Sequence, residues 1–208
     1  MATVKRSYDA TARRARAEKV RQELIETARR MLLSDGYAAL TVPKVADACG
    51  VSVESVYKRF AGKPALVRAV VRRALEGIGP VAAEARSDTL DAADLAALVR
   101  GWGRLTAEVA PRVAPILLLL DGAAGHDPEL ASLAAELEDD RRSRMADNAA
   151  RLDGAGHLPP GLGVDAATDI LLAYSSPQLY DLLVVRSGWD LEQYADFVSV
   201  GIAAHLAR

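Results

Sequence analysis

The apolar residues of this chain recur every three to four positions, and that period limits most narrowly what it can fold into. Val20, Leu24, Ala28 and Leu32 follow one another at intervals of four, with Ile25 and Met31 widening the stripe. Leu95, Leu98, Val99, Trp102, Leu105 and Val109 keep the same period, as do Leu130, Leu133, Leu137, Met145 and Leu152. Stripes of this kind fold as helices that bury one face. No stretch alternates convincingly at the two-residue period of a strand, and no internal repeat is evident. The expected fold class is all-α.

Caps and glycines punctuate the stripes. The helix from about Arg16 is expected to end at Gly36. Thr41 N-caps a short helix with Pro43 in its first turn, breaking at Gly50. Ser52 caps a third, reaching about Phe60, and Gly62 opens a fourth with Pro64 in its first turn. Gly77-Ile78-Gly79-Pro80 marks the expected boundary between two domains. Beyond it, Pro111 is expected to end one helix, and Asp127-Pro128 to start a long one that stops at Gly154. The last two helices are expected over about 165–186 and 190–207, with Asp190 and Gln193 as a capping box and a kink at Pro177. The expected division is a flexible basic arm over 1–15, a reader domain over 16–76 and a helical domain over 77–208.

Charge separates these parts. The 208 residues carry a net charge of -2, which by itself suggests no nucleic-acid partner. Residues 1–76, however, hold 16 Lys and Arg against 8 Asp and Glu, a balance of +8. The rest stands at -10, and all five lysines fall within the first 63 residues. A basic half of this sort points to nucleic acid or membrane, although a basic surface also arises by chance. One cysteine, Cys49, excludes a disulfide framework and a cysteine zinc site. The N-terminus lacks the apolar core of a signal peptide, and no apolar run matches a bilayer span. A soluble, cytoplasmic protein with no membrane partner is expected.

Two short helices on either side of Gly50 have helix-turn-helix spacing. Ala46 is small enough for a close crossing, Gly50 supplies the positive φ of the turn, and Val51 and Val56 point inward. Ser52, Val53, Glu54, Ser55, Tyr57 and Lys58 are then left for an exposed face. Lys63 stands in the first turn of the next helix, where the macrodipole disfavours a cation. A phosphate shared by Lys63 and free backbone N–H groups resolves that conflict, and Thr41 and Tyr57 offer hydroxyls to further phosphates.

The stretch from Thr41 to Leu66, with Ala46, Gly50-Val51-Ser52, Tyr57, Phe60 and Lys63, closely resembles the DNA-binding segment of TetR-type transcriptional regulators. Ser34-Asp35-Gly36-Tyr37 matches that family's approach to the motif. Leu158-Pro159, the run Ala173 to Tyr180 and Gly188-Trp189 look like the C-terminal domain of some members. The resemblance implies a homodimer with an N-terminal three-helix reader and a C-terminal ligand-binding bundle. It also implies a regulator, usually a repressor that a small molecule releases from operator DNA. Glu54 stands where the family commonly has glycine, Arg59 where an aromatic residue or histidine is common, and Pro64 where an acidic residue is frequent.

Each residue also has a plainer reading. Glu54 accepts from cytosine N4, or else merely favours the dipole of its own helix start. Tyr57 and Lys63 are expected to be phosphate contacts, and Lys58 touches either a base or a phosphate. The basic arm either follows the DNA or is a solubilising tail. Cys49 is expected to be a small buried residue.

In the second domain Trp102 and Tyr174 are candidates to line an effector pocket, and core packing is the competing reading. Glu138/Arg142 and Asp140/Arg144 are expected to pair at i,i+4 on a solvated face. Gly101 and Gly103 leave room for a ligand or for another helix. His126, His157 and His205 have no metal-ligand spacing, and no catalytic constellation is present, so neither enzyme activity, metal nor cofactor is expected. Leu182, Leu183, Val184 and Val185, with Leu191, Tyr194, Phe197, Val198 and Ile202 on the last helix, need cover on several sides. A second copy is expected to supply it, giving a homodimer through the last two helices. The expected function is thus a homodimeric, effector-released DNA-binding regulator with double-stranded operator DNA as partner. The competing class is a small helical-bundle enzyme or ligand-binding protein.

Overall fold

A computed structural model describes residues 3–206. Every regular element among the described residues is helical, in agreement with the expected class. The chain forms two compact units, one ending at Val70 and the other starting at Val71. That division falls inside a helix, ahead of the Gly77–Pro80 stretch.

In the first unit α1 spans Thr3–Ala39, α2 Val42–Ala48 and α3 Val53–Tyr57, and α4 begins at Lys63 and runs to Leu75. Helical backbone therefore reaches back from Arg16 to Thr3. The residues over 3–15 include three alanines and no glycine or proline, which favours a helix even without an apolar stripe. Gly36, at φ 81° and ψ 170°, interrupts α1 where the glycine signal placed its end. A last turn, 37–39, follows. Leu24, Ala28 and Leu32 are fully buried, as the four-residue spacing requires.

In the second unit α5 is Ala83–Asp88, α6 Leu95–Ala124, α7 Pro128–Gly154, α8 Val164–Tyr174, α9 Pro177–Tyr180 and α10 Leu191–Leu206. A π-helical stretch, Asp181–Arg186, joins α9 to the loop before α10. Three sequence expectations change here. The helix expected to end at Pro111 passes through both Pro111 and Pro115 to Ala124. Packing along its length holds it where a proline alone signals a stop: Val99, Trp102, Ala110 and Ala114 all lie in one core. The single helix expected over 165–186 is instead broken ahead of Pro177, whose ring cannot continue α8. Ser176 caps the restart by accepting the Leu179 N–H at 3.2 Å.

The third change concerns charge. Arg142 pairs with Asp169 of α8 at 2.9 Å, and Arg144 with Asp88 of α5 at 2.8 Å, while Glu138 pairs with Arg141. The face expected to be solvated therefore bridges three helices. α5 itself lacks an apolar stripe, so periodicity gives no sign of it.

The glycines of α6 serve helix packing. A methyl at Gly103 would overlap the Ala195 carbonyl and the Ser199 hydroxyl, so this residue lets α10 lie against α6 backbone to backbone. A methyl at Gly101 would run into Leu90. The caps read from sequence are present. Asp127 accepts the N–H groups of Glu129 and Leu130, and Asp190 and Gln193 bond reciprocally at 2.8 and 3.0 Å.

Candidate nucleic-acid interface

The reader is built from its caps inward. Thr41 Oγ1 accepts the Lys44 N–H at 3.4 Å and Ser52 Oγ accepts the Ser55 N–H at 3.2 Å, so each short helix starts where its hydroxyl stands. Between them the Val51 N–H reaches the Ala46 carbonyl at 3.0 Å, and Gly50 makes the reversal at φ 63°. For any L-residue that conformation costs about 1 kcal/mol. Val45, Ala46, Val56 and Phe60 are buried at the crossing, whereas Val51 is half-buried. α3 has only five residues, too few to be stable alone. Val56 and Phe60 anchor it.

What remains outside is the face expected from sequence. Ser52, Val53, Glu54, Tyr57 and Lys58 are exposed, and Ser55 is half-buried. Tyr57 is 54% exposed, a large aromatic residue held in water by a helix whose other side is anchored. Glu54 and Lys58 form an ion pair at 2.7 Å, and the Ser52 and Ser55 hydroxyls bond each other at 2.9 Å. Arg59 donates to the Ser55 carbonyl at 2.8 Å, satisfying the C-terminal end of the helix.

Lys63 is half-buried in the first turn of α4, with its ammonium 3.7 Å from the centre of the Tyr37 ring. A cation over an aromatic face is held by the ring quadrupole, which offsets the unfavourable dipole at that helix start. The dipole conflict is visible in the sequence, whereas the Tyr37 ring is brought to Lys63 by the fold. Lys44 joins the candidates only in the structure, exposed one turn after Thr41 and donating to the Ala39 carbonyl at 3.0 Å. Its signal is the same as that of Lys63: a lysine in the first turn of a helix.

In the second unit the two pocket candidates have partners within the protein. Trp102 is buried, and its indole N–H donates to Ser87 Oγ of α5 at 3.0 Å. The half-buried Tyr174 lies over Gly201, with its ring near those of Phe197 and His205 and its hydroxyl 3.3 Å from His205 Nδ1. Both residues border one core. Among the described residues no three His, Cys, Asp or Glu converge as metal ligands. No described helix is long and apolar enough to cross a membrane.

A short helix held outward by a tight glycine turn, capped at both starts and pinned from beneath, defines a helix-turn-helix DNA-binding domain. Residues 24–70 match the family model of bacterial regulatory proteins, tetR family. The matched stretch lies within the first unit and contains the helix-turn-helix, so the likeness to that family rests on the reader domain.

About nine-tenths of the chain shares its fold with solved structures. One, from Rhodococcus sp. and named for the TetR family of transcriptional regulators, superposes with a TM-score of 0.66 at 16% identity, over 91% of this chain and 100% of that one. A complex of SmeT with triclosan gives 0.69 at 18% identity, over 91% and 92%. A transcriptional-regulator structure from Saccharomonospora viridis in complex with choline gives 0.64 at 16% identity, over 92% and 99%. No curated protein matches in sequence.

Proposed function

We propose that this chain is a TetR-type transcriptional regulator acting as a repressor: a cytoplasmic homodimer that binds operator DNA through α3 and leaves it when a small molecule occupies the second unit. The observation that carries the reading is the outward face of α3, where Ser52, Val53, Glu54, Tyr57 and Lys58 project from a helix whose opposite side is sealed. Thr41, Ser55, Tyr57 and Lys63 serve as phosphate contacts or supports of the reader. Ser52 and Val53 face the base edges, and Lys58, paired with Glu54, faces a phosphate.

Dimerisation is supported by an apolar surface for which the single chain has no cover. Leu182, Val185 and Val200 are each more than half exposed, and Leu191 and Phe197 are exposed near them in sequence. A second copy related by a two-fold axis would bury this surface and match a palindromic operator. Effector release is supported by the fold shared with the triclosan and choline complexes. Trp102 and Tyr174 border the core in which such a molecule would lie. The effector would act by favouring one of two spacings of the paired readers.

The test is selection of bound fragments from genomic DNA, followed by titration of the recovered site at several salt concentrations and by sedimentation. A dimer with steep salt dependence and a sequence-specific component is expected. A monomer that binds all duplexes equally and weakly would point instead to a helical-bundle enzyme or binding protein.

A further inference from the structure

Tyr194, near the start of α10, heads the large side chains that are sealed from solvent. Its ring meets that of Tyr180 edge-on, with centroids 5.7 Å apart, in the core that also holds Trp102 and Val198. Its Oη has no hydrogen-bond partner among the described residues. Burial pushes its pKa up to about 12, so the hydroxyl keeps its proton at neutral pH. A buried O–H with nowhere to place its proton is rare, and it is costlier than an acceptor left short of one bond.

The buried serine and threonine hydroxyls of this unit are engaged, and the other buried atom of the unit without a partner, Asn148 Oδ1, is an acceptor. Ser87 accepts from Trp102, while Thr168 and Ser199 donate to the Val164 and Ala195 carbonyls. The buried polar residues of the unit include no formal charge: they are Ser87, Asn148, Thr168 and Ser199.

We infer that the effector is an uncharged molecule with an apolar body, whose hydrogen-bond acceptor takes the proton of Tyr194 Oη. The inference rests on the effector-released reading above and names the chemistry of that site. A charged ligand would lose its hydration and find no buried counter-ion. A hydrocarbon would fit the apolar surroundings but leave the hydroxyl unpaired. The acceptor is therefore the selective feature, and Tyr180 and Trp102 supply aromatic surface to the body of the ligand.

The test uses the full-length protein and matched aromatic compounds on several skeletons: methyl ketones, hydrocarbons of the same shape, carboxylates and quaternary ammonium analogues. Binding is read by equilibrium dialysis and by release of operator DNA, for the wild type and Tyr194→Phe. The ketones should bind about ten-fold or more tightly than their hydrocarbon counterparts, and Tyr194→Phe should abolish that preference while keeping operator binding. Without ligand, Tyr194→Phe should lower the unfolding equilibrium constant about five-fold or more, because the orphaned hydroxyl is gone.

Best binding by a charged analogue overturns the inference. So does a ketone preference that survives Tyr194→Phe, or a ligand-free variant less stable than wild type, since a buried water then already satisfies the hydroxyl. In those cases operator release by the compounds still leaves effector control standing. Binding by none of the compounds, with operator binding intact, overturns both effector control and this inference.

Discussion

The ion pair on the reading face sets up a quantitative test of what Glu54 does. Glu54 and Lys58 lie 2.7 Å apart, and both side chains are about three-quarters exposed, at 75% and 72%. An exposed i,i+4 pair contributes only about 0.3–0.5 kcal/mol to stability, so Glu54→Ala should leave the unfolding midpoint almost unchanged. Its effect on DNA binding should be larger and of opposite sign. The carboxylate now neutralises Lys58 on the surface that approaches phosphate; without it, one full cation per reader becomes available.

Each added phosphate contact steepens the dependence of log K on log salt by about 0.9, so a dimer should gain about 1.8. Between 50 and 200 mM salt, that increment corresponds to an additional affinity loss of about twelve-fold. The assay is fluorescence anisotropy on the selected operator across that salt range, for Glu54→Ala, Lys58→Ala and the double variant. Removing Lys58 in the Glu54→Ala background should cancel the gain, because the two residues act as a pair. If Glu54 instead accepts from a cytosine, Glu54→Ala should lose about 1–3 kcal/mol of discrimination at one base pair with no steeper salt slope. That result would refute the neutralisation argument.

Other expectations follow from packing and charge. Lys63→Ala should weaken binding to all sequences alike and flatten the slope by about 0.9 per reader. Loss of the contact with Tyr37 should also cost about 0.5–1 kcal/mol of stability in urea unfolding. Gly103→Ala should destabilise the second unit by about 1–3 kcal/mol, since the new methyl meets the Ala195 carbonyl of α10, which cannot yield, as well as the Ser199 side chain. The Arg86 guanidinium, and then the Ile78 N–H, hold the Glu108 carboxyl below its ordinary value of 4.5. Its folded pKa is therefore below the unfolded one, and its contribution is present above the ordinary value and lost as pH falls through the folded one. Glu108→Gln should flatten the acid side of the stability–pH curve, read as the urea midpoint at successive pH values.

Local signals carried much of the reader. Thr41, Ser52, Asp127 and the Asp190–Gln193 box cap helices in the structure because a cap is an interaction between residues two or three apart. Gly50 makes its turn because positive φ is a property of the single residue. The TetR resemblance was legible for the same reason: its residues lie within one short contiguous stretch. The prolines of α6 misled because the packing that sustains the helix through Pro111 and Pro115 comes from elements remote in sequence.

The sequence alone thus determined the helical class, the caps and turn of the reader, and which residues of α3 face outward. All of these follow from periodicity and short-range bonding. Only the tertiary structure decided which partner each charged or polar side chain takes. It paired Lys63 with the Tyr37 ring, Glu54 with Lys58, and Arg144 with Asp88 across a gap of 56 residues. It also left Tyr194 sealed in the core with its hydroxyl unpaired. Burial and pairing are settled by what the rest of the chain brings alongside, and no local pattern encodes that neighbour.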